Sequence, residues 1–121
     1  MGKAILFIDG DKHWREQARN CFSAAGQKLV EATNAEEALQ RSEFEPLSVI
    51  IMDLELQGEK TFTLLQFLKA NNPDIPILIF TATPQDDPEV IKILAHGGCD
   101  YVRKDSIEEL LVAAGTHLTA Q

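Results

Sequence analysis

Short apolar runs alternate with longer amphipathic stretches along the chain. The runs at 4–8, 48–52 and 77–80 are almost continuously apolar, which is typical of strands covered on both faces of a parallel sheet. Residues 28–32 and 99–103 predict two further short strands. Between the runs, apolar residues recur at helical spacing, so the pattern predicts five units of a strand followed by a helix.

The amphipathic stretches carry start and stop signals of helices. Asn34 lies three residues before Glu37, and Ser106 lies three residues before Glu109, which is the pattern of a capped helix start. Gly26 follows the first stretch and indicates a helix end. The predicted inward faces of the five helices consist, in chain order, of Trp14, Ala18, Cys21, Phe22 and Ala25; Ala35, Ala38 and Leu39; Phe62, Leu65 and Leu68; Val90, Ile91, Leu94 and Ala95; and Ile107, Leu110, Leu111, Ala114 and Leu118.

The alternation of strands and helices determines the predicted topology. Parallel strands that are joined through helices require crossover connections, and these are almost always right-handed. The units fill the 121 residues without a linker or a low-complexity segment. We therefore predict one domain over residues 1–121, of the α/β class, with a (βα)5 doubly wound parallel sheet.

The composition narrows the class of partner. Hydrophobic residues make up 45% of the chain and charged residues 25%, as in ordinary globular domains. The formal net charge of −8 disfavours direct binding of nucleic acid or of an anionic membrane surface. No apolar run approaches the roughly 20 residues of a membrane span, and none has the form of a secretion signal, so we expect a cytoplasmic location. In that compartment Cys21 and Cys99 are expected to be free thiols.

Polar residues mark the carboxyl ends of the predicted strands. Asp9 ends the first strand, Asp53 the third and Thr81 the fourth, and Lys104 follows the fifth. In an open parallel sheet, ligands bind at these ends, close to the point where the strand order reverses. If the strand order is 2-1-3-4-5, the four residues converge on one rim. Each of them alone is explained as a turn, cap or surface residue, so the argument depends on their joint placement.

The convergent set is suited to phosphoryl transfer. Clustered carboxylates repel one another unless a hard cation joins them, and Mg²⁺ takes a few carboxylate oxygens together with waters. A carboxylate can attack phosphorus and form an acyl phosphate. A lysine amine can hold a phosphoryl oxygen as a point charge, and a threonine hydroxyl can donate a hydrogen bond to another oxygen.

Four segments resemble the receiver domains of two-component response regulators, and the likeness covers essentially the whole chain. Residues 5–11 are the first strand with the acidic residues after it, and residues 49–54 are the third strand with its aspartate. Residues 77–82 are the fourth strand with its threonine and alanine, and residues 97–104 hold an aromatic residue and a lysine. The resemblance implies a flavodoxin-like fold with strand order 2-1-3-4-5. It also implies a signalling domain that catalyses at most its own phosphorylation and dephosphorylation, and is otherwise not an enzyme.

The resemblance implies roles around a phosphoryl group. Asp53 would accept this group from a phosphohistidine on a sensor histidine kinase or a phosphotransfer protein. Lys104, Thr81 and the backbone of Ala82 would contact the phosphoryl oxygens. Thr81 would then move toward the site and Tyr101 would turn inward, which would change the surface of the fourth helix, fifth strand and fifth helix. A downstream effector or output domain would bind that surface, and receivers commonly form homodimers through it when active.

The metal site implied by the resemblance departs from the family pattern. Asp9, Asp53 and the backbone carbonyl of Glu55 would hold Mg²⁺, but Gly10 stands where the family usually has a second acid. We therefore expect weakened metal binding. Asp11 could reach the metal instead, although capping of the first helix is the favoured explanation. The Glu55 carboxylate could pair with the lysine, supply the missing metal charge, influence hydrolysis of the acyl phosphate or lie exposed in its loop.

Further departures fall in loops and leave more than one function open. Gln57 and Asp105 stand where prolines are common in the family, and Lys60 and Thr61 replace a frequent Asp-Gly pair. The favoured hypothesis is a working phosphoryl acceptor with weakened Mg²⁺ binding, because the acceptor aspartate, threonine, aromatic residue and lysine are all present. The second is a pseudo-receiver that binds partners without phosphorylation. A flavodoxin-like enzyme or flavin carrier is disfavoured, since no phosphate-cradling loop follows the first strand.

Overall fold

The protein consists of strands and helices in strict alternation, in a computed structural model that describes residues 2–56, 61–98 and 100–119. The strands are β1 (Ala4–Ile8), β2 (Leu29–Ala32), β3 (Leu47–Met52), β4 (Ile77–Thr81) and β5 (Asp100–Arg103). The helices are α1 (Lys12–Ala24), α2 (Ala35–Phe44), α3 (Thr61–Asn71), α4 (Pro88–Ala95) and α5 (Ile107–Thr119). Gln57, Lys60 and Cys99, which the sequence analysis singled out, lie outside the described residues.

The strands form one parallel sheet in the order β2-β1-β3-β4-β5. This order confirms the predicted flavodoxin-like fold. At the carboxyl end of the sheet, Ile8 pairs with Met52. Hydrogen bonds continue one step past the strands, because the N–H of Asp53 donates to the carbonyl of Ile8 at 3.0 Å and the N–H of Lys104 donates to the carbonyl of Thr81 at 3.0 Å. The sheet itself therefore positions the backbone of the acid and the lysine.

The sheet has a hydrophobic core on each face. Successive strand residues point to opposite faces, so Ile5 and Phe7 belong to one core while Leu6 and Ile8 belong to the other. Helices α1 and α5 cover the first core, and α2, α3 and α4 cover the second. Every residue of β1 and β3 is buried, which explains why these strands are almost uninterrupted apolar runs in the sequence.

Side-chain caps fix the loops that follow β1 and β2. Asp11 caps α1 by accepting a hydrogen bond from the N–H of His13 at 2.9 Å. Asn34 caps α2 by accepting from the N–H of Glu37 at 2.9 Å, as the sequence predicted. Glu37 in turn accepts from the N–H of Thr33 at 2.7 Å, so donors on both sides of the cap are satisfied. Both loops border the carboxyl end of the sheet.

The predicted inward face of α4 is wrong in part. Val90 is fully buried and Leu94 packs against the core, but Ile91 is 56% exposed and Ala95 is also exposed. Ile93, which the prediction omitted, is fully buried. Because apolar residues occupy most of α4, their spacing fits more than one inward face. The way in which the helix docks on the sheet selects the face.

Two further expectations concern the state of the cysteines and the presence of membrane-spanning helices. Cys21 is a partly buried free thiol, as predicted, and burial together with the charge of Glu108 raises its pKa. A raised pKa makes the reactive thiolate scarcer. Among the helices of the described segments, none has the length and apolar character needed to cross a membrane.

Candidate functional site

Two aspartates and one lysine form a buried ionic cluster at the carboxyl end of the sheet. Asp9 follows β1 and Asp53 follows β3, and these residues are 1% and 4% exposed. Lys104 follows β5, and its Nζ atom lies 2.7 Å from Oδ2 of each aspartate. The topology thus brings together three residues that the sequence places at three different strand ends. We call these residues the ionic cluster.

Asp9 is held at both its side chain and its backbone. Its Oδ1 accepts from the N–H of Asp11 at 2.9 Å, and its carbonyl accepts from Nη1 of Arg15 at 3.0 Å. Its Oδ2 is fully buried, and the charged contact with the Lys104 ammonium at 2.7 Å is the interaction that the described residues offer it. Burial raises the pKa of the Asp9 carboxyl above the usual 3.8, although Lys104 and the Asp11 N–H act in the opposite direction.

Lys104 is the counter-ion of both carboxylates. Burial alone would lower the pKa of its ammonium group, but hydrogen bonds and charge interactions with Asp53 and Asp9 raise it above 10.5. The Nζ atom also lies 5.8 Å from the ring centroid of Trp14 and 5.7 Å from that of Phe80. The lysine is therefore charged at neutral pH and is enclosed by two acids and two aromatic rings.

An open cavity of about 470 Å³ leads from the surface to the ionic cluster. It is lined by Asp9, Gly10, Asp11, Thr33, Asp53, Glu55 and Lys104. A Cβ atom built on Gly10 would meet only the carbonyl oxygen of Thr33, at an ordinary 3.7 Å. Neither space nor backbone conformation therefore requires glycine at this position. A larger side chain fits where the family pattern has an acid.

The acidic residues of this cavity do not converge as one group. Asp11 uses its carboxylate to cap α1, and the Glu55 carboxylate accepts from the hydroxyl of Thr83 at 3.1 Å. Glu55 thus does not pair with the lysine, which was one of the alternatives raised from the sequence. In the part of the chain that the structure describes, no group of three or more His, Cys, Asp or Glu side chains is arranged to hold a metal ion.

The two aspartates of the ionic cluster nonetheless fit a hydrated magnesium ion. Mg²⁺ commonly takes one or two carboxylates and keeps several waters. Oδ2 of Asp9 is a buried carboxylate oxygen that contacts the Lys104 ammonium, and a carboxylate oxygen with one such contact keeps a second lone pair for a cation. With Gly10 in the loop, this donor set is smaller by one carboxylate than the family pattern.

The predicted switch residues lie beside the ionic cluster and contact each other through Thr83. Thr81 is fully buried, and its hydroxyl lies 3.2 Å from the hydroxyl of Thr83. The half-buried Tyr101 donates a hydrogen bond from its hydroxyl to the carbonyl of Thr83 at 2.6 Å. Ala82 is exposed between the two threonines. Tyr101 is thus hydrogen-bonded to the loop between β4 and α4 in the unmodified protein, and its inward turn on phosphorylation stays a prediction.

Sequence reasoning missed Thr83 entirely. This residue lies two positions after Thr81, in the loop that follows β4, and carries a second hydroxyl. Its hydroxyl donates to Glu55, which lies two positions after Asp53 in the loop that follows β3. The sequence signal was that the two residues lie two positions after Asp53 and Thr81, and the carboxyl ends of these neighbouring strands meet at one edge of the sheet.

The sequence and the fold both have clear relatives. Residues 5–115 match the response regulator receiver domain family. A cyclic di-GMP phosphodiesterase of Thermotoga maritima is 30% identical over 93% of this chain, and the phosphate regulon transcriptional regulatory protein of Pseudomonas aeruginosa is 31% identical over 93% of it. The chain spans only 30% and 50% of the lengths of these two proteins.

A solved structure with the same fold covers nearly the whole chain. The crystal structure of a two-component response regulator from Clostridium difficile superimposes with a TM-score of 0.90 at 25% sequence identity. The match covers 98% of this chain and 97% of the other. The likeness therefore extends over the complete sheet and its surrounding helices.

Proposed function

Because the chain belongs to the response regulator receiver family, we propose that it is a phosphoryl acceptor of two-component signalling and that Asp53 is the phosphorylated residue. Receiver domains are signalling domains and are generally not enzymes. One observation carries the proposal: the Asp53 carboxylate lies at the base of an open cavity, 2.7 Å from a buried ammonium group. A carboxylate in this setting is accessible from one side and stabilised by charge from the other.

The chemistry follows from the groups around Asp53. One carboxylate oxygen attacks the phosphorus of a phosphohistidine on a histidine kinase or phosphotransfer protein. The P–N bond breaks, the electron pair stays on the imidazole nitrogen, which takes up a proton, and Asp53 becomes an acyl phosphate. Lys104 neutralises charge that develops on the phosphoryl oxygens, and the N–H of Glu55, which is 3.1 Å from Oδ1, orients the carboxylate. The backbone N–H of Ala82 and the Thr81 hydroxyl are the further donors that we assign to the phosphoryl group.

Receiver domains bind Mg²⁺ at an acidic pocket, and here Asp9, Asp53 and the backbone carbonyl of Glu55 would hold it. The ion would neutralise negative charge between the incoming phosphoryl group and the carboxylates. Gly10 contributes no ligand, so we propose that this site binds Mg²⁺ more weakly than a site with a third carboxylate. Lys104 already balances much of the charge of the two aspartates, which keeps them together before the ion arrives.

We assign the output of the domain to the surface of α4, β5 and α5. Tyr101 of β5 is hydrogen-bonded to the loop that begins at Thr81, so a change at Asp53 has a short path to this surface. An effector or output domain would bind here, and a second copy of the chain is a further candidate. The chain spans half or less of the length of the two relatives above, so the output domain would lie on a partner or elsewhere in a longer protein.

The second candidate function is a pseudo-receiver, an interaction module that works without phosphorylation. It is favoured by Gly10 and by the absence of a three-acid cluster among the described residues. Both candidates use the same fold and the same surface. They differ only in whether Asp53 takes up a phosphoryl group.

Intact-mass spectrometry separates the two candidates. The protein is incubated with a small-molecule phosphodonor over a range of Mg²⁺ concentrations, together with Asp53→Asn and the control Asp74→Asn, which changes an exposed acid in the segment between α3 and β4. One phosphoryl group on the wild type and on the control, with none on Asp53→Asn, supports the acceptor. A folded wild type that gains no mass at any Mg²⁺ concentration supports the pseudo-receiver instead.

A further inference from the structure

Thr83 is the junction of a hydrogen-bond chain that joins the loops after β3 and β4. Its hydroxyl donates to Oε1 of Glu55 at 3.1 Å and lies 3.2 Å from the hydroxyl of Thr81. Its backbone N–H donates to the Thr81 hydroxyl at 3.2 Å, and its carbonyl accepts from Tyr101 at 2.6 Å. Every polar group of this one residue is therefore engaged with the switch residues or with Glu55.

The ionised carboxylate of Glu55 fixes the direction of this chain. A carboxylate only accepts hydrogen bonds, whereas a threonine hydroxyl has one proton to donate. The Thr83 proton is committed to Glu55, so the contact between the two hydroxyls requires Thr81 to be the donor. The single proton of Thr81 then points to Thr83 and not to Asp53, and no hydrogen bond joins Thr81 to Asp53 among the described residues.

We propose that Glu55 is a positioning residue that acts through Thr83 to hold the Thr81 hydroxyl away from Asp53. We call the Glu55, Thr83 and Thr81 side chains the latch. The inference rests on the proposed function, in which Thr81 donates to a phosphoryl oxygen. Before Thr81 can do so, it must give up its hydrogen bond to Thr83. The latch thus favours the unmodified arrangement of the site and opposes the uptake of a phosphoryl group.

The backbone of Glu55 ties the latch to the phosphorylated position. Its N–H donates to Oδ1 of Asp53 at 3.1 Å, while its carboxylate holds Thr83. A phosphoryl group on Asp53 is bonded to one of the two carboxylate oxygens and adds a larger anion there, which places negative charge near the Glu55 carboxylate. Like charges repel, so the modification weakens the latch at its exposed end. Release of Thr83 and of Thr81 follows from the same event.

Binding of beryllium fluoride, a mimic of the acyl phosphate, measures the effect of the latch in the presence of Mg²⁺. Thr83→Ala removes the junction without a change of charge and keeps the carbonyl that holds Tyr101. Since one neutral hydrogen bond is worth about a few-fold to tenfold in an equilibrium, we expect about three- to tenfold tighter binding of the mimic. The Mg²⁺ affinity should stay at the wild-type value. A change in both affinities would mean that the substitution loosened the site in general and did not act through the hydrogen bond to Thr81.

Glu55 is tested with two variants and a matched charge control. Glu55→Ala removes the acceptor, whereas Glu55→Gln keeps an acceptor oxygen and loses only the charge. Asp11→Asn removes one charge from the same cavity and retains a capping side chain, so it supplies the electrostatic baseline. Relative to this baseline, Glu55→Ala should bind the mimic about three- to tenfold more tightly, and Glu55→Gln should stay close to it.

The latch can also be observed without any phosphoryl group. NMR of methyl-labelled threonine in the ligand-free protein reports the position of the Thr81 side chain. We expect its methyl signal to shift in Glu55→Ala and Thr83→Ala and to remain in place in Asp11→Asn and Glu55→Gln. An unchanged Thr81 signal in both of the first two variants overturns the latch. If the wild type fails to bind beryllium fluoride, the acceptor function fails, while the Thr81 signal still decides whether the latch exists.

Discussion

The two sides of the site are built from different kinds of interaction. On the side of β1 and β3, Asp9 and Asp53 are buried against the ammonium group of Lys104. On the side of β4, neutral hydroxyls of Thr81 and Thr83 contact each other. The ionic side lacks one acid of the family pattern and still holds its geometry, because one lysine contacts both remaining carboxylates and offsets part of their charge. Ionic contacts therefore maintain the first side, and the direction of hydrogen bonds determines the second.

The largest expected effect comes from removal of the central charge. Lys104→Met leaves Asp9 and Asp53 buried without a counter-ion, and loss of one partner from a buried ion pair costs about 3–5 kcal/mol. We expect the free energy of unfolding, measured by urea titration at neutral pH, to fall by about this amount. Lys28→Met, which removes an exposed pair with Glu45, should cost less than about 1 kcal/mol. Equal losses in the two variants would show that the ionic cluster contributes no more than a surface pair.

The same cluster predicts the pH dependence of stability. The pKa of Lys104 is raised, so its contribution is complete below 10.5 and is lost as the pH rises through the higher pKa of the folded state. The pKa of Asp9 is raised as well, so folding binds a proton there, and stability from this group declines as the pH rises above 3.8. Urea titrations across the pH range should show both declines in the wild type. The alkaline decline should be smaller in Lys104→Met, and an identical decline in that variant would contradict the assignment.

A smaller effect is expected when the missing acid is restored. Gly10→Asp has room for its side chain, and it should raise the affinity for Mg²⁺ about tenfold by adding a carboxylate to the site. The single tryptophan, Trp14, lies 5.8 Å from the Lys104 ammonium, so its fluorescence can follow the titration. Gly10→Asn is the matched control, because it has a similar size and no charge. A tenfold gain in both variants would mean that a more rigid loop, and not charge, limits metal binding.

The smallest effect is expected on the hydroxyl side. Tyr101→Phe removes the hydrogen bond to the Thr83 carbonyl and keeps the ring packed against the core. A neutral hydrogen bond contributes about 1 kcal/mol, so the free energy of unfolding should fall by about this amount in urea titration. A loss as large as that of Lys104→Met would reverse the comparison between the two sides of the site.

The ionic side could be foreseen from the sequence because topology alone assembles it. Asp9 and Asp53 directly follow apolar runs that become neighbouring strands, and Lys104 follows the last strand beside Thr81. Hydrophobic periodicity predicts such strands, and parallel strands bring their carboxyl ends to one edge. No knowledge of loop conformation was needed to expect these residues near each other.

Thr81 could be placed by the same argument, but its hydrogen-bonded partners on the hydroxyl side could not. Glu55 and Thr83 meet across two loops, and their contact depends on backbone turns that no apolar pattern encodes. The sequence analysis therefore left Glu55 with several roles and gave none to Thr83. The exposed Ile91 of α4 has a similar cause, because a mostly apolar helix does not reveal which way it turns.

The space around Gly10 has an evolutionary consequence. Only the Thr33 carbonyl oxygen lies near the position of an added Cβ, at 3.7 Å, so the fold places no barrier against an aspartate there. In the genetic code, one base change turns a glycine codon into an aspartate codon if it ends in a pyrimidine and into a glutamate codon if it ends in a purine. A lineage carrying this glycine is therefore one mutational step from an acidic side chain at this position. Persistence of the glycine among close descendants would be evidence of selection for a weak site, since structural necessity does not explain it.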